Sequence, residues 1–278
     1  MIYASDLDQT LIYSRNSMGE GVVNEDLQLI ETLNSKEISF MTHNAISILK
    51  NIHEQCLFVP VTTRTIEQYE RISLFKKEIM PKYAITSNGG NVLINGVIDH
   101  YWHKHVIQRI EDHCLPIVEI VRRFQEIVDT SWFRLGKIAD NLFYYAVLER
   151  ENLPLDRIES FGTWAKQQQW KMSLQGRKLY LVPQEVSKSL AVRYLCEKEG
   201  EVFILSSGDS LLDYDLLQIA DYALAPSHGE IFNLGKQQNE NFIHFVEASG
   251  IRASEDILTE ILRFIKNMKQ ESLKSANL

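Results

Sequence analysis

Residues 2–10, IYASDLDQT, decide the fold class, because a short apolar run leads directly into two carboxylates two positions apart. A brief apolar run that ends in polar residues is typical of a buried parallel strand. Similar runs occur at residues 56–61, 83–86 and 202–205. Helical patterns lie between them, one capped by Thr42 and another beginning at Lys188. This order predicts a doubly wound α/β core with a parallel sheet, in which ligands bind beyond the carboxyl ends of the strands.

Residues 91–183 follow a different pattern. Residues 92–98 alternate about an Asn95-Gly96 turn, and an amphipathic stretch covers residues 106–128. A hairpin is predicted over residues 133–148, with its turn within 136–141. The same order of helix and hairpin then repeats. A helix is predicted over 155–169, and a second hairpin over 170–182 turns at Gln175-Gly176. Two helix-hairpin units predict an inserted α+β cap at residues 91–183, with residues 1–90 and 184–278 forming the core.

The segment 16–41 is longer than a crossover helix requires. We predict a helix over residues 26–33 and an edge strand over 38–41. The segment is expected to form a flap over the ligand-binding site at the carboxyl ends of the strands.

Composition limits the classes of partner. The net charge of -8 argues against a nucleic acid, whose phosphates need clustered Lys and Arg. Cys56, Cys114 and Cys196 form no CxxC pair, so neither a disulfide framework nor a structural zinc site is expected. No apolar stretch approaches the roughly 20 residues of a membrane helix. We expect a soluble, cytoplasmic protein whose partner is a small molecule, and the sequence leaves its oligomeric state open.

Asp6 and Asp8 are the strongest chemical signal. Two carboxylates crowded at a strand end repel each other unless a cation lies between them. Carboxylate and carbonyl oxygens are ligands that Mg²⁺ prefers. An isolated pair of this kind is equally consistent with helix capping or a solvated loop, but this pair has matching partners elsewhere in the chain.

Phosphoryl transfer needs a nucleophile, a proton donor and positive charge around phosphorus. Asp6 is the candidate nucleophile, and Asp8 is the candidate acid and base. Thr62 and Lys188 are candidates for holding the phosphoryl oxygens. Asp209 and Asp213 would complete the metal site.

Four ordered motifs carry a family resemblance: DLDQT at 6–10, VTTR at 61–64, VSKS around Lys188, and GDSLLD at 208–213. Asn88-Gly89 adds a pair found just before the predicted cap. Together they resemble the haloacid dehalogenase (HAD) superfamily, in its Cof-like and sucrose-phosphate-phosphatase-like branch. That resemblance implies a Rossmann-like core with a late-inserted, type C2 cap that selects the substrate.

The resemblance also implies site residues. Asp6 and Asp8 are the implied catalytic pair. The implied phosphate-binding residues are Thr10, Thr62, Thr63 and Lys188, and the implied Mg²⁺ ligands are Asp6, Asp8, Asp209 and Asp213. Substrate contacts are implied for Arg64, Asn88, Arg177 and Lys178.

The implied activity is Mg²⁺-dependent hydrolysis of a phosphate monoester through an aspartyl-phosphate, with a sugar phosphate favoured. Two alternatives stay open: a sugar phosphomutase using the same intermediate, and a catalytically impaired protein that binds a phosphorylated metabolite. Two departures support the latter. Thr63 stands where the branch usually has glycine, and Leu212 stands where it commonly has asparagine.

Other polar and aromatic residues have simpler interpretations. We interpret Ser210 as a helix cap, His228 as solvated or structural rather than a substrate contact, and the histidines of residues 99–105 as unsuited to zinc. Trp132, Phe133 and Trp164 are predicted to fill the cap core.

Overall fold

The computed structural model describes residues 1–232 and 242–276, which form an α/β protein. Its strands are β1 (Ile2–Ser5), β2 (Leu27–Leu33), β3 (Lys36–Thr42), β4 (Leu57–Pro60), β5 (Tyr83–Thr86), β6 (Asn91–Ile94), β7 (Val97–Ile98), β8 (Phe133–Ala139), β9 (Phe143–Leu148), β10 (Trp170–Gln175), β11 (Lys178–Pro183), β12 (Ile204–Ser207), β13 (Tyr222–Pro226) and β14 (Ile243–Val246). Its helices include α1 (His43–Gln55), α2 (Ile66–Glu70), α3 (Leu74–Lys77), α4 (His100–His113), α5 (Ile117–Gln125), α6 (Leu155–Gln167), α7 (Lys188–Glu199), α8 (Tyr214–Gln218) and α9 (Ile251–Ala276).

The central sheet has five parallel strands in the order β14-β13-β12-β1-β4. The predicted doubly wound core is therefore confirmed. From β1 the chain continues to β4 on one side, whereas β12, β13 and β14 extend the sheet on the other. The gap between β1 and β12 is the point where the strand order reverses, and such a point is where ligands bind in sheets of this kind.

Helices cover both faces of this sheet. One apolar cluster contains Tyr3 of β1, Leu49 of α1 and Ile257 of α9, and a second contains Ile2 of β1 and Val192 of α7. Alternate residues of β1 thus enter opposite cores, as expected for a strand buried on both sides. Helix α1 begins as predicted, because the Thr42 hydroxyl accepts a hydrogen bond from the Ala45 amide at 3.0 Å.

The third predicted strand, β5, occupies a different place. It meets the parallel sheet through a single bridge between Val61 and Ile85, and it pairs antiparallel with β6, which pairs with β7. The Asn95-Gly96 turn joins β6 to β7, as predicted.

The helix predicted over residues 26–33 is wrong. Strands β2 and β3 form an antiparallel hairpin that turns at Asn34-Ser35, both with positive φ. Leu27, Ile30 and Leu33 have helical spacing, but the register shifts on both sides of Glu31, so that strand bends and both Ile30 and Glu31 are buried. The predicted edge strand at 38–41 lies within β3.

The stretch predicted as a cap contains a four-stranded antiparallel sheet in the order β10-β11-β9-β8. Both predicted hairpins and helix α6 are present. The amphipathic stretch is two helices, α4 and α5, separated at Pro116. Gly136 lies inside β8 rather than in the turn, and a side chain at this position would collide with the Tyr144 ring. The exact cap limits of 91 and 183 stay a prediction.

None of the described helices combines the length and the apolar composition needed to cross a lipid bilayer.

Candidate active site

The reversal point of the sheet gathers the polar residues that follow its strands. Asp6 follows β1 and Asp209 follows β12, while Lys188 is the first residue of α7. The Lys188 ammonium donates to Asp6 Oδ1 at 2.6 Å and to the Asp213 carboxylate. Lys188 is only 1% exposed, and although burial alone lowers its pKa, the charges of Asp213 and Asp6 raise the pKa well above the usual lysine value. Lys188 is therefore a buried cation.

Asp6, Asp209 and Asp213 form a buried acidic cluster. Carboxylate oxygens from the three residues lie within 4.8 Å of one another. Burial and the nearby Asp213 raise the pKa of Asp6 to about 7, and burial with the same neighbour raises the pKa of Asp209 well above its usual value. Among the described residues, no hydrogen-bond donor contacts the Asp209 carboxylate. Three carboxylates against one ammonium leave an excess negative charge that a divalent cation with oxygen ligands would balance.

The loop after β12 holds Asp213 in place. Asp213 Oδ2 accepts hydrogen bonds from the Ser210 hydroxyl at 2.7 Å, the Ser210 amide at 3.0 Å and the Asp209 amide at 3.2 Å. Ser210 therefore holds the Asp213 carboxylate, and the prediction that its side chain caps a helix is wrong. A Cβ at Gly208 would lie 2.4 Å from the Asp213 Cβ, so only glycine fits there.

Asp8 is held by Arg64. Arg64 Nε donates to Asp8 Oδ2 at 2.7 Å, and Nη2 donates to Oδ1 at 2.8 Å. Partial burial by itself raises the pKa of Asp8, but the charge and hydrogen bonds of Arg64 outweigh it and lower the pKa below the usual value. The Asp8 side chain remains 47% exposed, so this carboxylate faces open space.

Three predicted site residues, and the glycine that follows one of them, lie behind the site surface or beside it. The buried Thr62 hydroxyl accepts a hydrogen bond from the Arg64 amide at 3.1 Å. The Thr10 hydroxyl is buried, with no partner among the described residues. Asn88 has a left-handed backbone and donates to the Val186 carbonyl at 3.3 Å, which ties it to the segment before Lys188. The next residue, Gly89, packs so closely on Ser187 that a Cβ would collide with its carbonyl oxygen.

A cleft of about 860 Å³ lies between the core and the four-stranded sheet. Of the predicted residues, those that line it are Asp6, Asp8, Thr63, Arg64, Arg177, Lys178 and Asp209. Thr10, Thr62, Asn88, Lys188 and Asp213 do not line it. The sequence motifs therefore divide into a set that faces the cleft and a set that supports it from behind.

An aromatic wall of the cleft was not predicted. Phe143 and Tyr145 of β9 and Tyr180 of β11 line the cleft, and the Tyr180 ring lies 6.3 Å from each of the other two rings. Alternation within FYYAVL at residues 143–148 was the available signal, because residues two apart in a strand share a face. Trp132, Phe133 and Trp164 belong to the core beneath the sheet, as predicted.

His228 supports the loop that carries Asp8. Its Nδ1 accepts from the Gly250 amide at 3.1 Å, so Nε2 carries the proton donated to the Gln9 carbonyl at 3.1 Å. Gln9 has a positive φ, and the Tyr13 hydroxyl also donates to its carbonyl at 2.7 Å. These two hydrogen bonds support the structural interpretation of His228, whose side chain also lines the cleft. The acidic cluster found among the described residues includes no histidine of residues 99–105.

Comparison with known proteins gives a family match. The family model described as sucrose-6F-phosphate phosphohydrolase matches residues 1–251. No curated protein matched the chain.

Several solved structures share the fold. The Synechocystis sp. PCC6803 sucrose-phosphatase, solved with sucrose and phosphate, is 15% identical with a TM-score of 0.68, covering 96% of this chain and 98% of its own. A Thermoplasma acidophilum protein is 14% identical with a TM-score of 0.60, covering 95% and 97%. A HAD-superfamily phosphatase from Bacteroides thetaiotaomicron is 13% identical with a TM-score of 0.52, covering 95% and 94%.

Proposed function

The chain belongs to the sucrose-6F-phosphate phosphohydrolase family of HAD phosphatases, and from this premise we propose that it hydrolyses a small sugar phosphate with Mg²⁺ through an aspartyl-phosphate on Asp6. Membership bears out the resemblance inferred from the four motifs. The observation that carries the mechanism is the buried cluster of Asp6, Asp209 and Asp213 around Lys188 at the reversal point of the sheet.

The donor set fits Mg²⁺. Asp6, Asp209 and Asp213 supply hard oxygen ligands, and a backbone carbonyl near Asp8 is a further candidate ligand. A bound Mg²⁺ would neutralise negative charge on the carboxylates and on the phosphoryl oxygens, so that the two anions can approach. Asp8 itself is directed at Arg64 in this structure, so a direct bond from its side chain to the ion is the least supported ligand prediction.

Asp6 attacks phosphorus in the first step. Its Oδ1 is held by Lys188, which leaves Oδ2 for the attack. A bond forms between Asp6 and phosphorus while the bond from phosphorus to the sugar oxygen breaks. Arg64 keeps Asp8 ionised in the unliganded protein, so the negative charge of the bound phosphoryl group has to raise the pKa of Asp8 and bring a proton onto it before this step. The protonated Asp8 then transfers that proton to the departing sugar oxygen, so that an alcohol leaves rather than an alkoxide. Lys188, behind the carboxylates, stabilises the negative charge that develops.

Water hydrolyses the aspartyl-phosphate in the second step. Asp8, now a carboxylate, takes a proton from the attacking water, whose oxygen bonds to phosphorus. The bond between phosphorus and Asp6 breaks, which releases inorganic phosphate and restores the Asp6 carboxylate. The splitting of one displacement into two is the advantage of a covalent intermediate.

The cleft supports a substrate with a polar ring. Its volume of about 860 Å³ exceeds the space that a phosphate group needs and leaves room for a sugar or a disaccharide. Tyr145 and Tyr180 offer ring faces for apolar C–H groups, while Arg177 and Lys178 offer hydrogen-bond donors. We assign the selection of substrate to the cap at residues 91–183 and place the enzyme in the cytoplasm, with the phosphorylated sugar as its partner.

A product assay tests this proposal. Purified protein is incubated with Mg²⁺ and a panel of sugar phosphates that includes sucrose 6F-phosphate, and both inorganic phosphate and the sugar product are quantified. We expect equimolar phosphate and free sugar from the wild type and none from Asp6→Asn. An isomerised sugar phosphate without phosphate release would instead identify a phosphomutase. Absence of turnover across the panel would contradict the proposal.

A further inference from the structure

We propose that Glu31, on the β2–β3 hairpin, is a positioning residue that orients Asp8 for proton transfer by holding Arg64. This inference rests on the proposed function, because it assigns the proton-donor role to Asp8. It adds to the active site a residue outside every motif of the sequence.

Glu31 is a fully buried carboxylate with charged partners on both oxygens. Its side chain is 0% exposed. Oε2 accepts from Arg64 Nη1 at 2.7 Å and from the Ser39 hydroxyl at 2.7 Å, and Oε1 accepts from Arg71 Nε at 3.0 Å. A buried carboxylate survives only when such partners compensate for its lost hydration.

Arg64 joins the two carboxylates through different parts of one rigid group. Nε and Nη2 form a fork on Asp8, while Nη1 points to Glu31. Nη2 also donates to the Ser39 hydroxyl at 3.1 Å, so a second hairpin residue fixes the same plane. Because the guanidinium is planar, fixing Nη1 and Nη2 also fixes the direction of the fork.

The charges in this network balance. Arg64 and Arg71 carry two positive charges, and Asp8 and Glu31 carry two negative charges when ionised. Without Glu31, Arg64 would keep Asp8 as its carboxylate partner, and Arg71 would keep the exposed Glu67 at 3.9 Å. On this side Arg64 would then be held by the Ser39 hydroxyl alone, so its direction, and with it that of the Asp8 carboxylate, would be less well fixed.

Asp8 depends on this support. In the part of the chain that the structure describes, its carboxylate accepts side-chain hydrogen bonds from Arg64 alone. The hairpin reaches the site through bridges between Glu31 and Ile72 and between Tyr13 and Phe40. The β2–β3 hairpin is thus attached beside Arg71 and beside the loop of Asp8. From this position it can fix the orientation of Asp8, the proton donor.

Misplacement of a proton donor has a specific kinetic signature. A departing p-nitrophenolate needs little protonation, whereas the more basic phenolate needs a proton as its bond to phosphorus breaks. The two esters have nearly the same shape. A loss of folded protein lowers the rate of hydrolysis of both esters equally. A misplaced Asp8 selectively lowers the rate of hydrolysis of phenyl phosphate.

The experiment compares Glu31→Gln with Glu37→Gln, using phenyl phosphate and p-nitrophenyl phosphate with saturating Mg²⁺. Glu37 lies on the same hairpin, is 53% exposed and pairs with Arg15, which makes it a matched control. For Glu31→Gln we expect kcat/KM to fall at least about 10-fold on phenyl phosphate and less than about 3-fold on p-nitrophenyl phosphate. Glu37→Gln should leave both values within about 2-fold of the wild type.

Ser39→Ala keeps the test decisive if Glu31→Gln does not fold. It removes one hydrogen bond from Glu31 and one from Arg64 while leaving both charges, and it should show the same selectivity with a smaller loss. Equal losses on both esters, or no loss on either, would overturn the role of Glu31. Failure of the wild type to hydrolyse either ester would instead count against the proposed function.

Discussion

Lys188 and the carboxylates around it determine what the site can do. The lysine neutralises part of the charge of Asp6 and Asp213 but leaves Asp209 without a donor among the described side chains. Burial makes this excess charge unfavourable, which is the reason the carboxyl pKa values rise. Binding of either protons or a cation to these carboxylates is therefore favourable.

Replacement of Asp6 tests this electrostatic state. The folded pKa of Asp6, about 7, lies above its ordinary value of 3.8, so the metal-free folded protein loses stability as pH rises from about 4 to about 7. Asp6→Asn removes that charge. In EDTA at about pH 8, we expect its melting temperature to exceed that of the wild type by about 2 °C or more. Phosphatase activity with Mg²⁺ should fall at least about 10³-fold.

Differential scanning calorimetry over this pH range checks the sign. The difference between variant and wild type should shrink towards about pH 4, where both side chains are neutral. A wild type that is more stable than Asp6→Asn at about pH 8 in EDTA would contradict this account.

Gly208 tests how tightly Asp213 is positioned. In Gly208→Ala the new methyl group would collide with the Asp213 side chain, and its displacement should lower kcat/KM by about 100-fold. Gly96→Ala is the control, since its φ of +81° imposes backbone strain but no atom lies within 4 Å of the new Cβ. Steady-state kinetics that place both variants within about 3-fold of each other would argue against close packing at Gly208.

The positions of the candidate carboxylates were predictable because each follows a strand in a short, ordered motif. Glu31 was not, because it reaches Arg64 through a hairpin whose sequence has helical spacing. Leu212 shows the same limit. It stands where the branch commonly has asparagine, and its side chain packs into the same apolar cluster as Leu216. Sequence gives the residue type, whereas the direction of a side chain depends on the tertiary packing.

The turn between β8 and β9 links the four-stranded sheet to the loop of Arg64. Asp140 Oδ2 accepts from the Ile66 amide at 3.1 Å, from Asn91 Nδ2 at 3.3 Å and from the Ser87 hydroxyl. Ser87 in turn donates its amide to the Arg64 carbonyl at 2.7 Å. One side chain therefore fixes this turn over the cleft.

Asp140→Gly should loosen this contact. Both Asp140 and Asn141 have a positive φ, so glycine suits either position, and Asn141→Gly is a matched control with an exposed side chain. We expect Asp140→Gly to lower the free energy of unfolding by about 1–3 kcal/mol and to speed hydrogen exchange in residues 139–142. If exchange is equally fast in the control, the Asp140 hydrogen bonds do not hold the turn.

Helices and strands were predicted best where the sequence features around them all indicated the same structure. Helix α7 runs over Lys188–Glu199 and begins at the predicted residue, and the Ser187 hydroxyl caps it. The β2–β3 hairpin was missed because apolar spacing competed with the turn at Asn34-Ser35. The break at Pro116 was missed because periodicity continues on both sides of it.

Across the whole molecule, metal binding should couple to stability. A Mg²⁺ ion held by Asp6, Asp209 and Asp213 would bind only the folded chain, which brings the three carboxylates together, so it should stabilise the folded state. At about pH 8, we expect about 10 mM Mg²⁺ to raise the melting temperature of the EDTA-treated wild type by about 2 °C or more and to restore activity. Asp209→Asn should abolish both effects. Equal stabilisation of wild type and variant would place the ion elsewhere.

The most direct test of the central claim is a crystal structure of the protein grown with Mg²⁺ and beryllium trifluoride, which mimics a phosphoryl group on a carboxylate. The account predicts that the beryllium atom is bonded to Asp6 and that Mg²⁺ contacts Asp6, Asp209 and Asp213. Beryllium trifluoride bonded to another side chain, or Asp6 turned away from both the ion and the fluoride group, would contradict it.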